Sequence, residues 1–347
     1  MTSLRIATPL AQQVLRRAPA VQLRREALEV AGAALVESAA TRRGRALEGI
    51  RRFLAAEAAL PLQDGSRSQL LAHATPTGKG TVVLLHGWSS GTYQYDQLGP
   101  KLFGLGFDVF IPRLPGHGFK TAAGVADPSH LPRAGQRRQY RDYADEVMAL
   151  VGGLGGPIHV AGLSGGGNIA LDIRNRYPVT SVLAMAPYLA AADGRARGGH
   201  NVMAFFDTLT FGQASRLLDL VKHDWGTRKG GAAPGHWHHT VGNIYAVSRH
   251  GDRVISELRP DGPPIQFITT AVDRAASNDT IGRAFRRAGG DSVNGWYQFP
   301  VEEGVPHPML SPVTNPKPES ITRLNDVIAG FFDTGRAVDR GTAPTSR

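Results

Sequence analysis

One serine stands among four glycines in VAGLSGGGNIA, residues 160–170. The motif G-x-S-x-G at residues 162–166 follows an apolar run and precedes a segment of helical character. A sharp strand-to-helix turn presents such a serine hydroxyl and crowds its neighbours, so Gly162 and Gly166 suit this turn. We predict that Ser164 is a nucleophile, and the helix N-terminus after it favours a developing oxyanion.

A serine hydroxyl needs a general base, and the base needs an orienting partner. Of the twelve histidines, His307 in GVPHPML is best placed, because it lies in a loop after the last predicted strand. The acid is expected between Ser164 and His307 in the chain. Asp273 ends PIQFITTAVD directly after a strand, where a carboxylate points into the crevice of a parallel sheet. We predict Asp273 as the acid, with Asp279 as the alternative.

A second N–H group for the oxyanion is expected from the loop LLHGWSSG, residues 84–91. His86 and Gly87 allow the backbone to turn tightly, so that the Trp88 N–H points into the site beside the Gly165 N–H. We interpret His86 as a histidine that supports this loop and not as the base. Loss of one such donor typically lowers the rate about 10²–10³-fold.

Short apolar runs alternate with helical segments from about residue 66 onward. The predicted strands are SQLLAHA (68–74), TVVLLHG (81–87), FDVFIPR (107–113), PIHVAGL (157–163), SVLAMAP (181–187), PIQFITTA (264–271) and GWYQFP (295–300). The predicted helices are about 93–104, 138–152, 167–176, 279–288 and 320–332. Continuous apolar runs are typical of strands that are buried on both faces. The pattern predicts an α/β fold, a mostly parallel doubly wound sheet flanked by helices.

Five motifs between residues 66 and 333 resemble those of the α/β-hydrolase superfamily in their order and spacing. They are LLHGWSSG, RLPGHG (113–118), GLSGGG (162–167), TTAVDRAASN (269–278) and GVPHPML (304–310). The capped branch of serine esterases, monoacylglycerol lipases and serine aminopeptidases is most similar. The resemblance implies a triad and an oxyanion hole, formed by Ser164, Asp273 and His307 and by Trp88 and Gly165, respectively. A serine argues against dehalogenase or epoxide-hydrolase chemistry, because those relatives use an aspartate nucleophile.

Three segments lie outside this regular alternation. About 75 residues separate two of the strands, too many for a structureless connection, so residues 189–262 are predicted to form an inserted, largely helical cap. Residues 1–60 fall outside the resemblance and are predicted to form a basic helical extension. Residues 335–347 are predicted to be a disordered tail.

Composition restricts the function classes. The 347 residues include no cysteine, which excludes disulfides, thiolate metal sites and thiol catalysis. No apolar run is long enough to span a membrane and arginines interrupt the N-terminal apolar residues, so we expect a cytoplasmic protein. Of the net charge of +10, a surplus of six lies in residues 1–55. This basic arm either docks on the main domain, which we favour, or contacts an anionic membrane surface; we do not expect nucleic-acid binding.

Other polar clusters favour no cofactor and no metal. His236, His238 and His239, with His223 upstream, have a spacing that can bind zinc or copper, but no carboxylate lies inside the cluster. LPGHGF lacks the Lys-Ser/Thr ending of a P-loop, and the chain has no dinucleotide fingerprint. Eight apolar cap residues either form a cap core or line an acyl pocket: Met203, Phe205, Phe206, Leu209, Phe211, Leu217, Leu218 and Trp225.

We therefore predict a serine hydrolase that cleaves small-molecule or lipid carboxylic esters through an acyl-enzyme. The same triad serves aminopeptidases, carbon–carbon hydrolases and acyltransferases. An aminopeptidase needs a carboxylate in the cap to hold the substrate amine, and four are available: Asp193, Asp207, Asp219 and Asp224. A hydrolase-fold binding protein has no need of all three triad residues, which disfavours that alternative.

Overall fold

The computed structural model describes residues 39–224, 235–236, 238–341 and 343–344. Its strands are β1 (Gln69–Leu71), β2 (Thr81–Leu85), β3 (Asp108–Ile111), β4 (Ile158–Leu163), β5 (Ser181–Met185), β6 (Lys222–Asp224), β7 (His238–Thr240), β8 (Ile265–Thr270) and β9 (Gly295–Phe299). Seven of them form one sheet in the order β1-β3-β2-β4-β5-β8-β9. Only β1 runs antiparallel to its neighbour in this sheet, and β6 and β7 form a separate antiparallel pair.

Helices cover both faces of this sheet. They are α1 (Ala39–Ala58), α2 (Leu98–Gly104), α3 (Gln139–Val151), α4 (Gly165–Arg176), α5 (Gly194–Leu209), α6 (Val241–Glu257), α7 (Asn278–Arg287) and α8 (Pro318–Thr334). The seven predicted strands and four of the five predicted helices are present within three residues of the expected bounds. The predicted helix 93–104 is instead a 3₁₀ helix (Thr92–Tyr95) followed by α2. The prediction of a mostly parallel sheet flanked by helices is confirmed.

Strand periodicity divides the core into two layers. Successive side chains of a strand point to opposite faces, so Val83 and Leu85 pack with α1, α3, α4, α6 and α7. Val82 and Leu84 pack on the other face with α2 and α8. All four side chains are fully buried. This two-sided burial explains why the strands appear in the sequence as continuous apolar runs.

The N-terminal helix α1 is docked on the main domain. Ile50 is fully buried in the core, and Arg43 forms a buried ion pair with Asp108 of β3 at 2.6 Å. Arg43 also donates to the carbonyl oxygens of Leu154 and His73. The docking favoured from the sequence therefore holds for residues 39–58, whereas residues 1–38 lie outside the described residues and their contact with a membrane stays a prediction.

The long insertion between β5 and β8 has an outer part and an inner part. The outer part contains α5, a 3₁₀ helix (Ala214–Leu220), β6 and β7. The inner part is α6, which packs against α4, with Val247 and Val254 in the main core. The β6–β7 pair was not predicted from the sequence. No helix within the described ranges is both long and apolar enough to cross a membrane.

The prediction of a disordered tail is wrong for residues 335–341. Arg340 pairs in parallel with Tyr297 of β9, and the Gln298 N–H donates to the Arg340 carbonyl at 2.8 Å. The Asp339 carboxylate accepts from the Trp296 N–H at 2.8 Å. Strand β9 is at the edge of the sheet, so its outward N–H and C=O groups are free to pair with the returning chain. A polar segment rich in turn residues gave no local signal of this pairing.

Arg43→Ala should destabilise the protein by about 3–5 kcal/mol, because it leaves the buried Asp108 carboxylate without its cation. The matched control is Arg52→Ala in the same helix, where the side chain is 76% exposed. This control should change stability by less than about 0.5 kcal/mol. Urea unfolding of both variants measures the difference, and equal effects would show that α1 is not anchored through Arg43.

Candidate active site

Ser164 lies in a strained turn between β4 and α4. Its backbone has φ 54° and ψ −116°, a conformation that costs energy for any residue with a Cβ. A Cβ on Gly162 would lie 2.1 Å from the Gly166 carbonyl oxygen, and one on Gly166 would lie 2.2 Å from the Leu85 carbonyl oxygen. Glycine is therefore required at both positions, because a Cβ would collide with the neighbouring backbone. The Ser164 N–H donates to the Met185 carbonyl at 2.8 Å, which ties the turn to β5.

The structure brings the three predicted triad residues together. Ser164 Oγ lies 2.8 Å from His307 Nε2. His307 Nδ1 lies 2.7 Å from Asp273 Oδ2. The Asp273 side chain is fully buried and the His307 side chain is 17% exposed. This hydrogen-bonded chain runs from a buried carboxylate to a hydroxyl at the wall of a cavity.

The turn after β8 fixes the Asp273 carboxylate. Its Oδ1 accepts from the N–H groups of Ala275 and Ala276, both at 2.8 Å. Oδ2 is thereby directed at His307, which selects the tautomer with a proton on Nδ1. Asp279, the alternative acid, instead lies in the first turn of α7 and makes no hydrogen bond to His307.

The His307 loop is fixed on both sides. Thr270, the last residue of β8, donates its hydroxyl to the Val305 carbonyl at 2.6 Å. On the other side, the Met309 N–H donates to the His307 carbonyl at 2.8 Å. The buried Asn315 side chain donates in turn to the Met309 carbonyl. The position of the imidazole is thus fixed by β8 and by hydrogen bonds within its own loop, although His307 itself lies in neither a helix nor a strand.

Trp88 and Gly165, the predicted oxyanion donors, are adjacent. A Cβ on Gly165 would lie 3.5 Å from Trp88 N and 2.7 Å from Trp88 Cβ. Gly165 is the first residue of α4, so its N–H has no partner within the helix. The loop is held by Gln94, which accepts from the Gly87 N–H at 2.7 Å, and by Tyr140, which accepts from the Trp88 indole N–H at 3.1 Å.

Three buried histidines support the same loop. His86 Nε2 accepts from the Leu114 N–H at 3.0 Å, so this side chain has the supporting position expected of it. Ser89, with φ 68°, donates its N–H to His117 Nε2 at 3.3 Å. His236 Nε2 accepts from the Gly118 N–H at 2.9 Å, and its backbone N–H donates to the Ser89 carbonyl. A residue of the insertion therefore holds the loop that contains Trp88 and Ser89.

Burial determines the protonation state of these histidines. It lowers the pKa of His86 and of His236 from 6.5 to about 4, and it lowers the pKa of His117 well below its usual value. The neutral imidazoles then accept hydrogen bonds from backbone N–H groups. Within the ranges that the structure describes, no group of three or more His, Asp or Glu side chains is placed to hold a metal ion.

Sequence reasoning missed Gln94, His117 and Tyr140 as supports of the site. Gln94 and Tyr140 lie in ordinary helical segments, and nothing in their local pattern distinguishes them. His117 lies in LPGHGF between two glycines with positive φ, Gly116 and Gly118. The sequence pattern of this turn does not indicate its contact with Ser89, because the two residues are 28 positions apart in the chain.

Two neighbouring cavities lie at the site. The smaller, about 240 Å³, contains Ser164 and His307 in its wall and is mostly apolar elsewhere. The larger, about 610 Å³, lies between α5, α6 and residues 188–193. Tyr188, Ile244 and Ala275 line both cavities, so the two spaces are neighbours across these side chains.

The apolar cap residues divide into two groups. Met203 and Leu218 line the larger cavity. Five others are 49–94% exposed in the described structure, so they form neither a cap core nor a pocket wall there: Phe205, Phe206, Leu209, Phe211 and Leu217. Trp225 lies outside the described residues.

Comparison with known proteins gives a family match and several structural likenesses. A model described as the alpha/beta hydrolase family matches residues 82–320, more than half of the chain. The chain is similar to the monoacylglycerol lipase of Paleococcus ferrophilus, with TM-score 0.58 and 17% identity, covering 78% of this chain and 98% of that one. It is also similar to a soluble variant of the Saccharomyces cerevisiae monoglyceride lipase, with TM-score 0.55 and 12% identity, covering 79% and 94%. Likenesses at these identities show the fold alone, and no curated protein matches the sequence.

Gly166→Ala should destabilise the protein by about 3 kcal/mol or more, because the new Cβ would overlap the Leu85 carbonyl and the buried strands leave it no room to move. The control is Gly198→Ala in α5, where a Cβ meets nothing within 4 Å. That variant should gain about 0.5–1 kcal/mol from reduced backbone entropy in the unfolded chain. Thermal unfolding of both separates a packing conflict from a general effect of alanine.

Stability should fall as the pH is lowered from about 6.5 to about 4. In this window the unfolded chain binds protons on histidines that stay neutral in the fold, so the unfolded state holds more protons and acid favours it. The difference between 6.5 and about 4 for His236 corresponds to roughly 3 kcal/mol.

His236→Gln should reduce the slope of this pH dependence, since the amide oxygen can accept from the Gly118 N–H but does not titrate, while His86 and His117 still contribute. The control His238→Gln replaces an exposed histidine of β7 and should leave the slope unchanged. Urea unfolding between pH 4 and pH 8 measures the slopes. An unchanged slope in His236→Gln would contradict the role of its burial.

Proposed function

The chain belongs to the α/β-hydrolase family, and we propose that it is a serine hydrolase that cleaves carboxylic esters through an acyl-enzyme. One observation carries the proposal: the hydrogen-bonded chain from Asp273 through His307 to Ser164. A buried carboxylate, an imidazole and a hydroxyl in this order activate the hydroxyl for attack on a carbonyl. The strained turn and the adjacent Trp88 and Gly165 N–H groups support the same chemistry.

In the acylation step, Ser164 Oγ attacks the carbonyl carbon of the ester while His307 Nε2 takes the hydroxyl proton. The carbonyl oxygen becomes an oxyanion, which the N–H groups of Trp88 and Gly165 stabilise. Asp273 keeps the imidazole oriented and stabilises its positive charge. The intermediate collapses when the C–O bond to the alcohol breaks, and His307 gives its proton to the leaving oxygen.

In the deacylation step, a water molecule replaces the alcohol. His307 Nε2 removes one proton from the water as its oxygen attacks the acyl carbon, and a second tetrahedral intermediate forms. Its collapse breaks the bond to Ser164 Oγ, which recovers the proton from His307, and the carboxylic acid leaves. The enzyme returns to its starting state without a cofactor in this scheme.

The charges around the site support ester substrates over peptides with a free N-terminus. Of the four aspartates considered for binding an amine, Asp207 accepts from Ser215 and Tyr245 and Asp219 accepts from the Ala134 N–H. The Asp224 side chain lies outside the described part of the structure. Asp193 lines the larger cavity, but its carboxylate is already engaged as the N-cap of α5.

The wall of the smaller cavity supports an apolar group next to the ester bond. Trp88, Leu163, Ile244 and Val247 line it around Ser164. Apolar walls of this kind bind hydrocarbon by excluding water. We propose that the substrate is a small-molecule or lipid ester with one apolar arm in this cavity.

Ser164→Ala should abolish fluorophosphonate labelling and lower kcat for 4-nitrophenyl esters by about 10⁴–10⁶-fold, because the nucleophile is removed. Asp273→Asn should lower kcat by about 10⁴-fold through the wrong imidazole tautomer while leaving the serine in place. The chain-length series from acetate to palmitate then measures the size of the acyl site.

The matched control is Ser256→Ala, which removes an exposed hydroxyl of α6 that donates to the Arg253 carbonyl and touches no triad residue. This variant should keep labelling and ester turnover close to those of the unaltered protein. Labelling without ester turnover would direct the proposal to carbon–carbon hydrolysis or acyl transfer by the same serine. A folded protein that reacts with neither probe would contradict the proposed nucleophile and favour a binding protein.

A further inference from the structure

The larger cavity gives a substrate bound at Ser164 a second space to occupy. It measures about 610 Å³, and it is lined by residues of α5, of α6, of the segment after β5, of the turn after β8 and of α7. Tyr188, Ile244 and Ala275 belong to its wall and to the wall of the smaller cavity. An ester with one arm beside Ser164 would reach the larger cavity past these shared side chains.

Three arginines line this larger cavity: Arg197, Arg274 and Arg283. Nη1 of Arg197 donates to the carbonyl oxygens of Ala191 and Ala192 at 2.7 and 2.6 Å, which fixes its guanidinium at the wall. Nη2 of Arg283 donates to the Thr280 hydroxyl at 2.9 Å. Across the described ranges, none of the three arginines forms an ion pair with a carboxylate.

The two carboxylates in the same wall are already engaged. Asp193 accepts from the Ala196 N–H and caps α5. Asp252 accepts from His200 at 2.8 Å and from Arg249 at 2.7 Å. Burial alone would raise the pKa of Asp252, but the hydrogen bonds and charges of His200 and Arg249 outweigh it and hold this pKa below its usual value. Asp193 has no cationic partner among the described residues, but it is one charge against three arginines, so the wall of the larger cavity keeps a net positive charge.

We propose that the larger cavity is a subsite for an anionic group, and that the substrate is an ester with a carboxylate or a phosphate on the arm that extends away from Ser164. The inference rests on the proposed ester hydrolysis. Guanidinium groups bind both anions through charge-assisted, often bidentate hydrogen bonds. Leu189, Met203, Leu218 and Ile255 form an apolar part of the same wall, which suits a hydrocarbon segment between the ester and the anion.

The test compares anionic probes with neutral probes of matched length. On the acyl side, 4-nitrophenyl monoesters of the dicarboxylic acids from adipate to sebacate, and of an ω-phosphonoalkanoic acid, are compared with 4-nitrophenyl alkanoates. On the alcohol side, butyryl glycerol phosphate is compared with monobutyrin. We expect kcat/KM to be at least about tenfold higher for an anionic probe on one of the two sides, mainly through a lower KM.

The double variant Arg274→Gln, Arg283→Gln should lower this anionic-to-neutral ratio several-fold, because only Arg197 then remains in the wall. The matched control is Arg195→Gln, which removes an exposed arginine of α5 that is not in the cavity wall. This control should keep the ratio of the unaltered protein. The proposal is overturned if neutral and anionic probes react equally on both sides, or if the double variant keeps the preference. A preference for the phosphonate or phosphate probes over the carboxylates identifies the anion.

A binding measurement separates this proposal from the proposed reaction. In Ser164→Ala, calorimetry with monomethyl suberate and with dimethyl suberate compares an anionic and a neutral ligand without turnover. Tighter binding of the monomethyl ester, weakened in the added double arginine variant, supports the subsite even if no ester is hydrolysed. Equal binding of the two ligands would contradict the subsite whatever reaction Ser164 performs.

Discussion

The turn at Ser164 is the constraint on which the rest of the site depends. Backbone atoms of Gly162, Gly166 and Leu85 approach one another so closely that no Cβ fits between them. The positive φ of Ser164 persists because β4 and α4 are buried and fix both ends of the turn. The serine hydroxyl is thereby held at one edge of the sheet, and every other group of the site must reach it there.

Parallel strands bring these groups together, because their carboxyl ends all lie at one edge of the sheet. The loop with Trp88 follows β2, Ser164 follows β4, Asp273 follows β8 and His307 follows β9. Residues far apart in the chain therefore meet without long connections crossing the sheet. The loop with Trp88 needs further support, because it leaves the sheet at a tight turn. Buried neutral histidines such as His117 provide this support by accepting backbone hydrogen bonds.

The insertion between β5 and β8 contributes residues to both cavities beside Ser164. Helix α6 packs in the main core and carries Ile244 and Val247 to the wall beside Ser164. Helix α5 lies further out and contributes Arg197 and His200 to the larger cavity. The insertion thus forms part of the wall beside Ser164 and contributes one of the three arginines of the larger cavity, whereas Arg274 and Arg283 follow β8.

Local sequence patterns were sufficient to predict the seven strands of the main sheet, five of its helices and the order of the candidate site residues, because apolar periodicity and glycine-rich turns are local properties. They also placed Asp273, and not Asp279, at the end of a strand, and the structure brings Asp273 to His307. The pairing of residues 335–341 with β9, the contacts of the buried histidines and the arginines that line the larger cavity become visible only in the folded chain. These depend on contacts between residues far apart in the chain, which a local pattern does not encode.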